Sequence, residues 1–124
     1  MQRIWNMSGN GTTGIEATFI LSGTPDNFTI EYEPMTHEQG QQHIYLNANT
    51  FAVFHVHPNN SGKYPSTPAN NYAHNGKGDT GMADANRLDV YVVHRDGLTV
   101  YRSSTKVTVS LRDNMSWTST KGCF

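Results

Sequence analysis

Phe51-Ala52-Val53-Phe54-His55-Val56-His57-Pro58 is an apolar run that closes on two histidines and is stopped by a proline. On a strand, side chains alternate between faces, so His55 and His57 point the same way while Phe54 and Val56 point to the other, toward a core. Two imidazoles side by side at a strand end, just before a loop, make half of a metal site. Pro58 ends the strand and opens that loop, and loops at the ends of buried strands are where sites are usually built. A His pair at this spacing also occurs as two hydrogen-bonded residues at a strand end, so the dipeptide spacing alone leaves both readings open.

Outward from this stretch, turn chemistry and alternation set the remaining elements. Ile15 to Leu21 reads as a strand with Ile15, Ala17, Phe19 and Leu21 on one face. Ser22-Gly23-Thr24-Pro25-Asp26-Asn27 is a turn, and Phe28 to Glu33 alternates as the return strand of a hairpin. Met1 to Gly14 reads as a short strand or ordered arm followed by a polar loop. Pro34 to Gln42 is a polar connection, and Ile44-Tyr45-Leu46 suits either a short strand or a helical turn.

Beyond the His pair, Asn59 to Gly78 is a long loop rich in Asn, Gly, Pro and Ser, a length unusual in a compact domain unless it serves a site. Asp79 to Leu88 reads as a short helix with Asp79 at or near its N-cap. Asp89 to Val93 is the next strand, Arg95-Asp96-Gly97 a tight turn, and Leu98 to Tyr101 the return. Thr105 to Leu111 alternates as a further strand, and Arg112 to Phe124 carries no clear pattern. The expectation is an α/β chain: one domain over 1–124, a curved mixed β-sheet flanked by one or a few helices.

Composition narrows the chemistry. The chain has 124 residues, the size of one domain with a sizeable core. Its net charge of −1 offers no basic excess for phosphate contacts, so nucleic acid is not the expected partner. No apolar stretch approaches membrane-spanning length and no signal pattern opens the chain. It reads as soluble, cytoplasmic or exported as part of a larger effector, with its oligomeric state open. Asn27-Phe28-Thr29 fits a short glycosylation sequon. Cys123 is the single cysteine, so any metal must be held by histidines and carboxylates.

The third ligand should be an oxygen donor near the long loop. Asp79 stands at a helix start after that loop, where a short side chain can be aimed back at the strand end; helix capping is the competing job. A His, His, Asp set with one open position is the arrangement of a catalytic zinc, not of a closed structural one.

The order of features resembles the JAMM (MPN-type) zinc metalloprotease domain, particularly bacterial JAB-like members associated with secreted or toxin proteins. The motifs are Glu16 at the start of an apolar strand, His55-Val56-His57-Pro58, Pro65-Ser66 in the loop, and Asp79 opening a helix before a strand–turn–strand. The resemblance covers roughly Glu16 to Tyr101. It implies zinc held by His55, His57 and Asp79, with Glu16 as general base and Ser66 as hydrogen-bond donor to the developing oxyanion. It implies a peptide or protein substrate.

The chain departs from that pattern in spacing. The Asp ordinarily follows the Ser by three residues, where this chain has Ala69; Asp79 comes ten residues later, after the insertion Asn70 to Gly78. The His-to-Ser spacing is longer by one residue. His74 in the insertion is the substitute ligand if Asp79 is not one, and His94 at a strand end is a weaker candidate. Glu31 and Glu33, expected to share one solvated face, compete with Glu16 for the role of base.

The sequence therefore predicts a zinc metallopeptidase or isopeptidase. The alternatives are a catalytically silent MPN-type binding module and a metal-dependent toxin nuclease, the latter disfavoured by the lack of basic character. A cupin also places His-x-His on a strand, but expects a Glu a few residues on, where Asn59, Asn60 and Ser61 stand.

Overall fold

Alternation of apolar residues builds a sheet that is buried on both faces at its centre. The computed structural model describes residues 1–12, 16–33, 44, 46–57, 64–67 and 78–112. Its elements are α1 (Gln2–Met7), β1 (Thr18–Thr24), β2 (Asn27–Tyr32), β3 (Thr50–Val56), α2 (Gly78–Asn86), β4 (Asp89–His94), β5 (Gly97–Arg102) and β6 (Val107–Arg112). The strands form one six-stranded sheet in the order β2-β1-β3-β4-β5-β6. β3 and β4 pair parallel, with Val53 beside Val90 and His55 beside Val92. The other neighbours pair antiparallel. A parallel pair needs a crossover, and α2 lies in it.

The two faces carry separate cores. Ala17, Phe19, Val56, Val93 and Leu98 pack with Ile4 and Trp5 of α1. Ile20, Val53, Leu88, Val90 and Tyr101 pack with Ala83 of α2. Across the α1 face, Phe54 stacks on Phe19 at 4.7 Å between ring centroids and on Tyr91 at 4.2 Å. By alternation from Val53, His55 belongs to the α2 face.

The first residues are a helix, not the strand or arm that their polar sequel suggests. Met1, Ile4, Trp5 and Ser8 recur at helical spacing. Ile4 and Trp5 are almost wholly buried, and burying one such aliphatic side chain contributes about 1.5–3 kcal/mol. Ser8 closes the helix by donating to the Trp5 carbonyl and accepting from the Gly11 N–H.

The hairpin turn is tighter than expected. β1 runs through Thr24, and only Pro25 and Asp26 separate it from β2. β1 also starts at Thr18 rather than at Ile15, which lies outside the described residues. The edge strands β2 and β6 leave Phe28, Ile30, Val107, Val109 and Leu111 exposed.

α2 is a weakly apolar helix. Its buried residues are Asp79 and Ala83. The Tyr101 hydroxyl donates to both Asp84 carboxylate oxygens, at 2.9 and 3.1 Å, Lys106 Nζ lies 3.1 Å from Asp84 Oδ1, and further contacts are made at its first turn.

Candidate metal centre

The end of β3 is clamped from both sides. The Val56 N–H donates to the Ala17 carbonyl at 2.9 Å, and the His57 N–H to the Val93 carbonyl at 2.9 Å. These two bonds fix the backbone around His55 and His57 and carry Glu16, just ahead of β1, to the same corner. Both histidines are buried.

α2 reaches this corner through its second residue. Asp79 lies one position inside the helix, not at its N-cap, and its carboxylate is turned outward from the helix. Oδ1 is 3.3 Å from His55 Nε2 and Oδ2 is 3.1 Å from His57 Nε2. The work of capping falls to Ser66. Its Oγ accepts from the Asp79 N–H at 2.9 Å and its carbonyl from the Thr80 N–H at 3.0 Å. In return the Ser66 N–H donates to Asp79 Oδ2 at 2.7 Å.

Gly78 makes this docking sterically feasible, and nothing in the sequence reading singled it out. Its φ is +63°, and a Cβ there would meet the Thr67 carbonyl at 2.8 Å and the Ser66 oxygen at 2.9 Å. The available signal was a glycine directly before the helix-opening Asp.

Glu16 completes the cluster. Its Oε1 lies 3.9 Å from His57 Nε2, with the side chain only 12% exposed. One ligand atom each from Glu16, His55 and His57 lie within 4.8 Å of one another. Asp79 thus contacts both histidines, Glu16 lies beside them, and Ser66 is bonded to Asp79.

The donor set fits a small divalent cation. Around a tetrahedral ion with bonds of ~2.1 Å, ligand atoms are roughly 3.4 Å apart; His55 Nε2 to Asp79 Oδ1 (3.3 Å), His57 Nε2 to Asp79 Oδ2 (3.1 Å) and His57 Nε2 to Glu16 Oε1 (3.9 Å) are each near that spacing, with the two Asp79 contacts made by different oxygens. Among the described residues His55 Nε2, which is buried, makes no hydrogen bond, and Asp79 Oδ1 lies 3.3 Å from it. A buried imidazole nitrogen that faces a carboxylate without bonding it is suited to metal ligation. The identity of the metal is not fixed by this geometry.

Charge in the cluster is strongly coupled. Burial alone would lower the His55 pKa, but the Asp79 carboxylate beside it, with help from Glu16, raises it to about 9. Burial likewise works against ionised Asp79, yet the His55 and His57 rings hold its pKa well below the usual carboxylate range. Burial pushes Glu16 up, partly offset by the two histidines.

The competing candidates separate cleanly. Glu31 is exposed and Glu33 is buried, so they do not share a solvated face. Alternation along β2 divides them from Tyr32, and Glu33 extends the ladder by donating its N–H to the Thr18 carbonyl at 3.0 Å. His94 is buried at the end of β4, where its Nδ1 accepts from the Asp96 N–H at 3.2 Å; it is not part of the convergent group. His74 and the insertion before Gly78 lie outside the described residues.

No protein-family model, no curated protein and no solved structure matches this chain.

Proposed function

We propose that the protein is a zinc-dependent metallopeptidase or isopeptidase of the JAMM type, acting on a peptide or protein substrate rather than on nucleic acid or a membrane. One observation carries this reading. A single buried carboxylate, Asp79, addresses both His55 and His57, while a second, Glu16, stands beside them with its pKa raised by burial.

In this reading His55, His57 and Asp79 hold the ion. Zinc, when bound, would polarise the scissile carbonyl and lower the pKa of water. Glu16 takes the proton of the attacking water and passes it to the leaving amine; a carboxyl whose pKa is raised by burial suits both halves of that transfer. Ser66 Oγ accepts from the Asp79 N–H, which leaves its own proton available for the developing oxyanion.

A second reading rests on the same distances. Glu16 lies close enough to the histidines to be a fourth ligand, and a set of His55, His57, Asp79 and Glu16 would close the site and make it a structural metal centre in a binding module. Metal analysis of purified Glu16→Gln separates the two. Zinc retained with peptide cleavage abolished supports the base. Zinc lost supports the closed site. His57→Ala should lose zinc in either case, and a parent protein that takes up no zinc would remove both.

A further inference from the structure

The two histidines lie on one face of the sheet, and what fastens their backbone lies on the other. Alternation puts His55 and His57 on the α2 face and Val56, between them, on the α1 face. Ala17 follows Glu16 directly, and its carbonyl accepts the Val56 N–H; the Val93 carbonyl accepts the His57 N–H. Ala17, Val56 and Val93 thus hold the backbone that carries Glu16, His55 and His57. Each of the three is fully buried, in one core cluster with Ile4 and Trp5 of α1, and α1 lies against β3.

Little else holds α1 in shape. It is six residues long, its N-cap Met1 makes no side-chain cap bond, and it has no acidic residue in its first turn and no basic residue in its last. Isolated helices shorter than about 12 residues are marginal in water, so docking is what forms this one. Trp5 is 2% exposed, and its Nε1 makes no hydrogen bond among the described residues. A buried unbonded N–H costs stability, a cost that the packing of the indole must offset. Arg3, 4.1 Å from the centre of the Tyr32 ring, ties the helix to β2.

A metal site tolerates little play. Its ligands must be held within about 0.5 Å of the binding geometry by the packing behind them, and a close-packed interior transmits a displacement instead of absorbing it. We propose that α1 sets the metal affinity of the centre: Ile4 and Trp5 are positioning residues that hold Glu16, His55 and His57 in register through Ala17, Val56 and Val93. Docking of α1 and binding of metal then strengthen each other, because coupling between sites is reciprocal. This inference rests on the metal reading above, in either its open or its closed form.

The test measures zinc affinity, by chelator competition, in variants that keep the helix and leave a small void beneath it. Ile4→Val and Trp5→Phe should each weaken zinc at least about fivefold, the lower end of coupling between distinct sites. Val100→Ala is the control, because Val100 is as fully buried but stands on β5, which carries no ligand. It should lose stability and keep the parent affinity, as the two α1 variants would if their role were only structural. Hydrogen exchange in the parent reads the reciprocal effect and needs no variant to fold. Zinc should slow exchange of the Trp5 and Ser8 amides, which bond the Met1 and Ile4 carbonyls within α1, by a similar factor. Parent-like affinity in both α1 variants, an equal loss in Val100→Ala, or α1 amides indifferent to zinc would overturn the role of α1 and leave the metal centre standing. A parent that binds no zinc would overturn both.

Discussion

Ser66 and Asp79 hold each other by two reciprocal hydrogen bonds, backbone N–H to side-chain oxygen in each direction, at 2.7 and 2.9 Å. The arrangement satisfies a helix N-terminus as a capping box does, but across thirteen residues of chain instead of three. It therefore joins the long loop to α2 and aims the Asp79 carboxylate in the same act. Ser66→Ala should remove the cap, at a cost of about 1 kcal/mol in folding stability. It should also lower turnover by roughly 10²–10³-fold, the usual loss for one oxyanion donor, with zinc still bound. Urea denaturation, zinc content and peptide cleavage on the same preparation check the three parts. Unchanged turnover with the cap lost would confine Ser66 to a structural role.

Gly78 sets how closely the two segments approach. Any Cβ there would collide with backbone of Thr67 and Ser66, and the positive φ adds strain for an L side chain. Gly78→Ala should destabilise the protein by more than the roughly 1 kcal/mol of helix propensity that alanine ordinarily returns, and should weaken zinc binding because Asp79 is displaced. An Ala variant as stable as the parent, with parent zinc affinity, would show that the approach is not needed.

Much of this site was legible in the sequence because it sits on a strand. Alternation through Phe51 to His57 placed both imidazoles on one face, and β3 runs as that pattern requires. Ser66 and Asp79 were legible as candidates, but their reciprocal bonds were not: thirteen residues of chain separate them, and no local rule reaches that far. α1 was missed because only two of its residues, Ile4 and Trp5, are buried, and the polar sequel hid the helical spacing. Glu33 was misread as solvated because alternation gives a face and not its depth. That face is covered where β2 meets Thr18, and only pairing partners distant in sequence decide this.

The cluster's charge predicts opposite responses to pH with and without metal. In the metal-free protein the His55 pKa is raised to about 9 from an ordinary 6.5. A raised folded pKa contributes stability that is fully present below the unfolded value and is lost as pH rises through the folded one. Metal-free thermal stability should therefore fall between about pH 6.5 and 9. Asp79, held low, adds stability that persists above its ordinary range and is lost only as pH falls through its depressed value. Zinc must displace the His55 proton, so apparent zinc affinity should rise across the same window in which metal-free stability falls. Melting curves and zinc competition at each half pH unit check both. A metal-free protein of constant stability from pH 6.5 to 9 would mean that His55 is not held charged.

Metal removal should act first on α2. The helix buries only Asp79 and Ala83, and its first turn is fixed through Asp79 to the two histidines and to Ser66. A ligand that binds only the folded chain stabilises it by about 4 kcal/mol at a free concentration a thousand times Kd, so chelation should lower the melting temperature by several degrees. Regions with few buried apolar contacts open most readily. In hydrogen exchange, amides of α2 from Met82 onward should lose protection on chelation, while those of β3, β4 and β5, paired on both sides, should keep theirs. The buried Asp79 would then keep its contacts to His55, His57 and the Ser66 N–H. Equal loss of protection in helix and central strands would mean that the ion supports the whole fold instead. Protection in α2 indifferent to zinc would mean that Asp79 is no ligand.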